Sequence, residues 1–237
     1  MLKYNEFLNE NKLYKYSELI EYTYLNPHAT VDNIKDICET AEKYNFMAIC
    51  VDSEFISEAY SFVEDLDIKV VSMVDFPKGD SKNNIRLSKV KESVINGADE
   101  INLVLDTKRL IKTDLKYHDP KLQENDEYVK MFTNLNEIAN YIHSQGKVLK
   151  VCIESGELDY NMTNIACIMS EDAGADYIMT STGTKKKGAE VDKIKYMKKI
   201  LKEWTKILAS GGVHSLDQVK DFIKAGAHRV ATSKIPY

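Results

Sequence analysis

Short runs of β-branched and apolar residues recur along the chain, separated by longer stretches in which apolar residues return every three or four positions. The first kind reads as buried strand and the second as amphipathic helix. Their alternation predicts repeated βα units around a parallel sheet. Strands are predicted over 19–25, 46–52, 68–76, 99–105, 148–154, 177–181, 206–210 and 229–233. Helices are predicted over 31–44, 54–65, 82–96, 125–145, 159–173, 190–203 and 215–225, with an additional N-terminal helix over 2–16. Eight such strands in a chain of 237 residues predict an α/β fold, a (β/α)8 barrel forming one domain over 1–237.

Local punctuation agrees with this pattern. Asn96-Gly97-Ala98-Asp99, Ala173-Gly174-Ala175-Asp176 and Ala225-Gly226-Ala227-His228 each place a glycine where a helix ends and a strand begins, a position that favours left-handed backbone. Thr30, Ser53 and Ser215 stand where helices begin and are predicted N-caps. The polar, lysine-rich stretch 106–126 reads as a surface excursion rather than a domain boundary. After the eighth strand only Lys234-Ile235-Pro236-Tyr237 remain, so the final ring helix is missing. The outer faces of the first, seventh and eighth strands then need a cover, which is either the N-terminal segment or another subunit.

Composition narrows the function classes. A net charge of −5 without a basic stripe argues against a nucleic-acid or membrane-surface partner, and no apolar run reaches the roughly 18 residues that span a bilayer. Cys38, Cys50, Cys152 and Cys167 stand singly in apolar surroundings, which fits reduced thiols in a cytoplasmic protein better than disulfides or a metal site. No Walker, HExxH or dinucleotide motif is present, and no cofactor is expected.

Seven ordered motifs carry a more specific signal. They are Thr23-Tyr24-Leu25-Asn26-Pro27 with Ala29-Thr30, Ala48-Ile49-Cys50-Val51, Phe76-Pro77-Lys78-Gly79, Gly97-Ala98-Asp99-Glu100-Ile101, Lys150-Val151-Cys152-Ile153-Glu154, Thr180-Ser181-Thr182-Gly183 and Ser210-Gly211-Gly212-Val213. Together, from Ile20 to Ser233, they resemble the deoxyribose-phosphate aldolase family, class I aldolases on a (β/α)8 barrel. The resemblance implies a Schiff-base lysine on the sixth strand, a second lysine on the seventh that lowers its pKa, and a proton-relay aspartate on the fourth. Here those positions hold Met179, Leu208 and Asn102. A thioether cannot form an imine, and class I chemistry needs a neutral amine.

The resemblance also implies a phosphate site at Gly183, Gly211, Gly212 and Ser233. There the family's charged partners are replaced by Thr184 and His214, and Lys185, Lys186, Lys187 or Lys234 are candidate substitutes. Asn26, Tyr22 and Asp75 depart from its lysine, histidine and glycine. The expectation is therefore a family member without aldolase chemistry, acting by binding a phosphorylated small molecule or a protein, or a second copy, through the uncovered flank. The alternative is a lyase that cleaves 2-deoxyribose 5-phosphate to glyceraldehyde 3-phosphate and acetaldehyde with a relocated lysine. Lys206, two residues before Leu208, is the candidate, and Lys150 another. Both also suit a structural task, pairing with Glu100 or Glu154 inside the barrel. Cys50 reads as a small core residue rather than a nucleophile.

Overall fold

The computed structural model describes residues 13–236. Eight parallel strands close into a barrel in sequential order: β1 (Ile20–Tyr24), β2 (Ala48–Asp52), β3 (Lys69–Val74), β4 (Glu100–Val104), β5 (Val148–Cys152), β6 (Tyr177–Met179), β7 (Lys206–Ser210) and β8 (Arg229–Thr232). All eight predicted strands are present. The helices are α1 (Val31–Tyr44), α2 (Ile56–Val63), α3 (Asn83–Ile95), α4 (Thr107–Lys112), α5 (Asp126–Ser144), α6 (Tyr160–Asp172), α7 (Val191–Ile200) and α8 (Leu216–Ala225).

Strand alternation creates two separate apolar regions. Outward residues such as Ile49, Val51, Ile101, Leu103, Val151, Ile178 and Val230 join the helices in the larger core. Inward residues Ala48, Cys50, Val71, Met73, Val104, Cys152, Tyr177, Met179, Leu208 and Ala231 fill the barrel. Gly97, Gly174 and Gly226 take the left-handed conformation, with φ of 105°, 106° and 115°. Thr30 and Ser215 close reciprocal capping boxes with Asn33 and Gln218. Ser53 does not cap. The carboxylate of Asp52 accepts from Glu54 N at 3.1 Å, and Ser53 instead opens the turn Ser53–Phe55.

Two further expectations change. The excursion 106–126 contains α4, whose first turn is capped by Asp106 accepting from Arg109 N at 3.0 Å. β6 ends two residues early because Thr180 Oγ1 donates to Ser210 O at 2.9 Å and accepts from Ser210 N at 2.9 Å, so a side chain replaces the ladder. Of the expected N-terminal helix, residues 2–12 lie outside the described residues, while Leu13 and Tyr14 are helical.

Among the described residues no helix follows β8. Nevertheless Ile20, Ile207, Ala209 and Val230, outward residues of the strands in question, are sealed from solvent within the single chain, while the outward Tyr22 and Tyr24 of β1 are half-buried. Leu13 and Tyr16 before β1 and Ile235 after β8 belong to the same apolar cluster. The bare flank expected from the sequence is therefore absent at the sealed residues, and a second subunit is not needed to bury them.

Candidate functional site

Parallel barrels present their last inward residues and βα loops at one end, and a cavity of about 620 Å³ opens there. It runs between the ends of β1, β6, β7 and β8 and is lined by all four predicted phosphate-site residues, Gly183, Gly211, Gly212 and Ser233. Gly183 and Gly212 have φ of 77° and 74°. A Cβ on Gly212 would meet nothing within 4 Å, so that residue faces open space. Gly211 has a packing reason to be glycine, since the loop after β6 brings Gly188 Cα within 3.0 Å of the position its Cβ would occupy.

The turn after β6 is held from below. Glu154, buried and itself left-handed at φ 49°, accepts from Ser181 Oγ at 3.0 Å and Thr182 N at 3.0 Å, and from the Thr182 hydroxyl. Ser181 Oγ in turn accepts from Gly183 N at 3.1 Å. Glu154 thus satisfies its charge with hydroxyls and an amide, not with a lysine. This role for the glutamate was not legible from its position at a strand end.

Beneath the cavity lies a buried ionic layer. Lys150 is fully buried, donates to Glu21, and lies 2.6 Å from Glu100 Oε2. Arg229 Nη1 donates to both Glu100 oxygens at 2.9 and 2.7 Å. Asn102 Nδ2 donates to Glu21 Oε1 at 2.7 Å. Two carboxylates and two cations cancel. Burial alone would lower the Lys150 pKa, but Glu21 and Glu100 outweigh it and the net shift is upward. For Glu100 burial raises the pKa, and Lys150 and Arg229 reverse the effect and hold the carboxyl at about 2. Lys150 is therefore a charged, inaccessible ammonium. Glu21 and Arg229 went unnoticed in the sequence. An acidic residue at an inward strand position, with a basic residue inward on another strand, is the signal that could have found them.

The three positions implied by the resemblance are not equivalent. Met179 lines the cavity, whereas Asn102 and Leu208 are fully buried away from its lining. Met179 pairs in register with Leu208 and with Cys152, within the apolar interior. Lys206, the relocated-amine candidate, is exposed at the first residue of β7, the opposite end of the strand, with its ammonium 5.5 Å from the centroid of the Tyr177 ring. It does not line the cavity, and neither do Lys185, Lys186, Lys187 or Lys234. Among the lining residues His214 is the one basic side chain. Cys50 is buried, and burial raises its thiol pKa well above the ordinary value, as suits a core residue.

The other departures also find places. Tyr22 turns outward, its ring centroid 5.4 Å from that of Phe46. Asp75 adopts φ 62°, accepts from Ser81 N at 3.2 Å and pairs with buried Arg86 at 3.2 Å. It is a structural anchor outside the cavity lining. Asn26 lines the cavity and accepts from His28 N at 2.9 Å.

The chain is a closed (β/α)8 barrel with a cavity and glycine turns at the strand ends, the end where sites are built in this fold class. No family model matches the chain. Individual relatives do. The deoxyribose-phosphate aldolase of Caldanaerobacter subterraneus subsp. tengcongensis is 34% identical over 225 residues, covering 94% of this chain and 92% of the relative. That of Ureaplasma urealyticum serovar 10 is 34% identical over 219 residues, covering 92% and 95%. Among solved structures, the aldolase QR15 superposes with a TM-score of 0.81 at 28% identity, covering 92% of this chain and 90% of that one. A deoxyribose-phosphate aldolase from Aeropyrum pernix, described as having a unique tetrameric structure, shares the fold at a TM-score of 0.80 and 23% identity, covering 93% and 88%. The chain belongs to the deoxyribose-phosphate aldolase family.

Proposed function

We propose that this member of the family binds a phosphorylated small molecule at the strand-end cavity and does not perform Schiff-base aldol chemistry. The observation that carries the reading is the cavity's lining. Imine formation needs a neutral, accessible primary amine, and among the described residues no lysine lines the cavity. Lys150, the barrel's buried lysine, is committed to Glu21 and Glu100. The glycine turns support anion binding, because the N–H groups of Gly211, Gly212 and Ser233 have no hydrogen-bond partner among the described residues and all three residues line the cavity.

The test is intact-mass analysis after borohydride reduction with acetaldehyde or 2-deoxyribose 5-phosphate, with an active aldolase trapped alongside. The expected result is no adduct on the folded protein. An adduct would refute the reading, and peptide mapping would name the amine. Amide NMR during titration with inorganic phosphate tests the binding half, with shifts expected at Gly183, Gly211, Gly212 and Ser233.

A further inference from the structure

The cavity's polar groups are unevenly available, and this narrows the ligand. Three buried hydroxyls in its wall are already committed within the protein. Ser181 Oγ bonds Glu154 and Gly183 N, Ser210 Oγ donates to Ser181 O at 2.6 Å, and Thr232 Oγ1 lies 2.9 Å from Val213 O and 2.8 Å from Lys234 O. The exception is Thr23, whose Oγ1 is buried and has no partner. The rest of the buried lining is carbon and sulfur, from Met73, Met179 and Ala231 with half-buried Phe76, whereas the polar side chains of Asn26, Thr184, His214 and Ser233 stand at exposed positions of the lining.

Resting on the anion-binding reading, we propose that the ligand is a phosphomonoester with a short, largely unhydroxylated carbon chain. Its phosphate sits on the glycine turns, its chain covers Met179 and Met73, and at most one distal oxygen meets Thr23. A polyhydroxylated sugar phosphate would bury hydroxyls against thioether and ring carbons. Each one left without a partner weakens binding roughly tenfold. Each methylene buried there strengthens it about fourfold.

Isothermal titration of the full chain with inorganic phosphate, methyl phosphate, n-butyl phosphate, 4-hydroxybutyl phosphate and 2-deoxyribose 5-phosphate tests this. The expected order places n-butyl phosphate at least about tenfold tighter than both methyl phosphate and 2-deoxyribose 5-phosphate. Met179→Gln should erase most of that advantage. Thr23→Val should weaken 4-hydroxybutyl phosphate and leave n-butyl phosphate unchanged. If phosphate and 2-deoxyribose 5-phosphate bind but n-butyl phosphate gains nothing, the chain preference is wrong and the anion site stands. If none of the phosphates binds, the anion site itself is wrong and the preference falls with it. The ligand comparison on the unmodified protein decides the matter even if a variant fails to fold.

Discussion

Asn102→Asp would test the buried ionic layer with a change of one atom. The amide donates to Glu21 Oε1 at 2.7 Å, and both side chains are fully buried. An ionised aspartate there would face Glu21 at about 3 Å, a repulsion of about 5 kcal/mol at an effective dielectric near 20. Binding one proton between the two carboxyls costs less. At pH 7, protonating a carboxyl whose ordinary pKa is about 3.9 costs about 4 kcal/mol, and at pH 5 about 1.5 kcal/mol. The protonated acid can then donate to Glu21 as the amide did.

The folded variant would hold one proton more than its unfolded chain above pH 4, so its folded-state pKa is raised. Its deficit is therefore full at neutral pH and shrinks as pH falls toward the unfolded value. Urea unfolding of both proteins at pH 7 and pH 5 should give deficits of about 4 and about 1.5 kcal/mol. A deficit below about 1 kcal/mol, or one that ignores pH, would refute the reasoning. It would mean that Lys150 neutralises a third carboxylate.

Other perturbations probe neighbouring groups. With Glu100 held at about 2, its ionisation contributes about 3 kcal/mol above the ordinary carboxylate range, lost as pH falls from there toward 2. Glu100→Gln should therefore destabilise at pH 7 and converge on the parent in acid melts, and a constant gap would contradict this. Lys150→Met leaves Glu21 without its cation and should cost about 3 to 5 kcal/mol in denaturant titrations. Gly188→Ala would put a Cβ 2.1 Å from Gly211 O. It should abolish phosphate-induced amide shifts, whereas Gly212→Ala, with open space around it, should cost only about 1 to 2 kcal/mol for its φ of 74°. Equal effects of the two glycine changes would count against the close approach of the loops.

The strands and ring helices were legible because period-two and helical spacing report burial directly, and capping residues such as Thr30 and Ser215 mark helix starts locally. What escaped depends on contacts across the barrel. Glu21 and Lys150 are 129 residues apart in sequence, as are Glu100 and Arg229. No local pattern joins either pair. Lys206 shows the converse limit. Alternation places it on the same side of β7 as Leu208, yet alternation does not say that the first residue of a strand opens to solvent at the far end of the barrel. The role of Asp75 was hidden for a similar reason. Its value lies in a left-handed backbone and a pair with Arg86, and neither is visible in the segment around Phe76.

The two layers of the barrel interior constrain each other. Below, Glu21, Glu100, Lys150 and Arg229 form a charge-balanced set, and Asn102 contributes a donor without adding a charge. Above, Met179, Leu208, Cys152 and Met73 form an apolar lid over that set. A lysine introduced at 179 alone would place a cation in this apolar layer with no carboxylate left unpaired beneath it, so burial would push its pKa down. That shift would favour a neutral amine, but at a cost in stability that rises as pH falls and the amine must charge. Met179→Lys should accordingly fold best at alkaline pH, with a midpoint in urea that drops between pH 9 and pH 6. If its stability is the same across that range, Glu21 or Glu100 is still free to accept a second cation, and the charge balance drawn from the geometry is wrong.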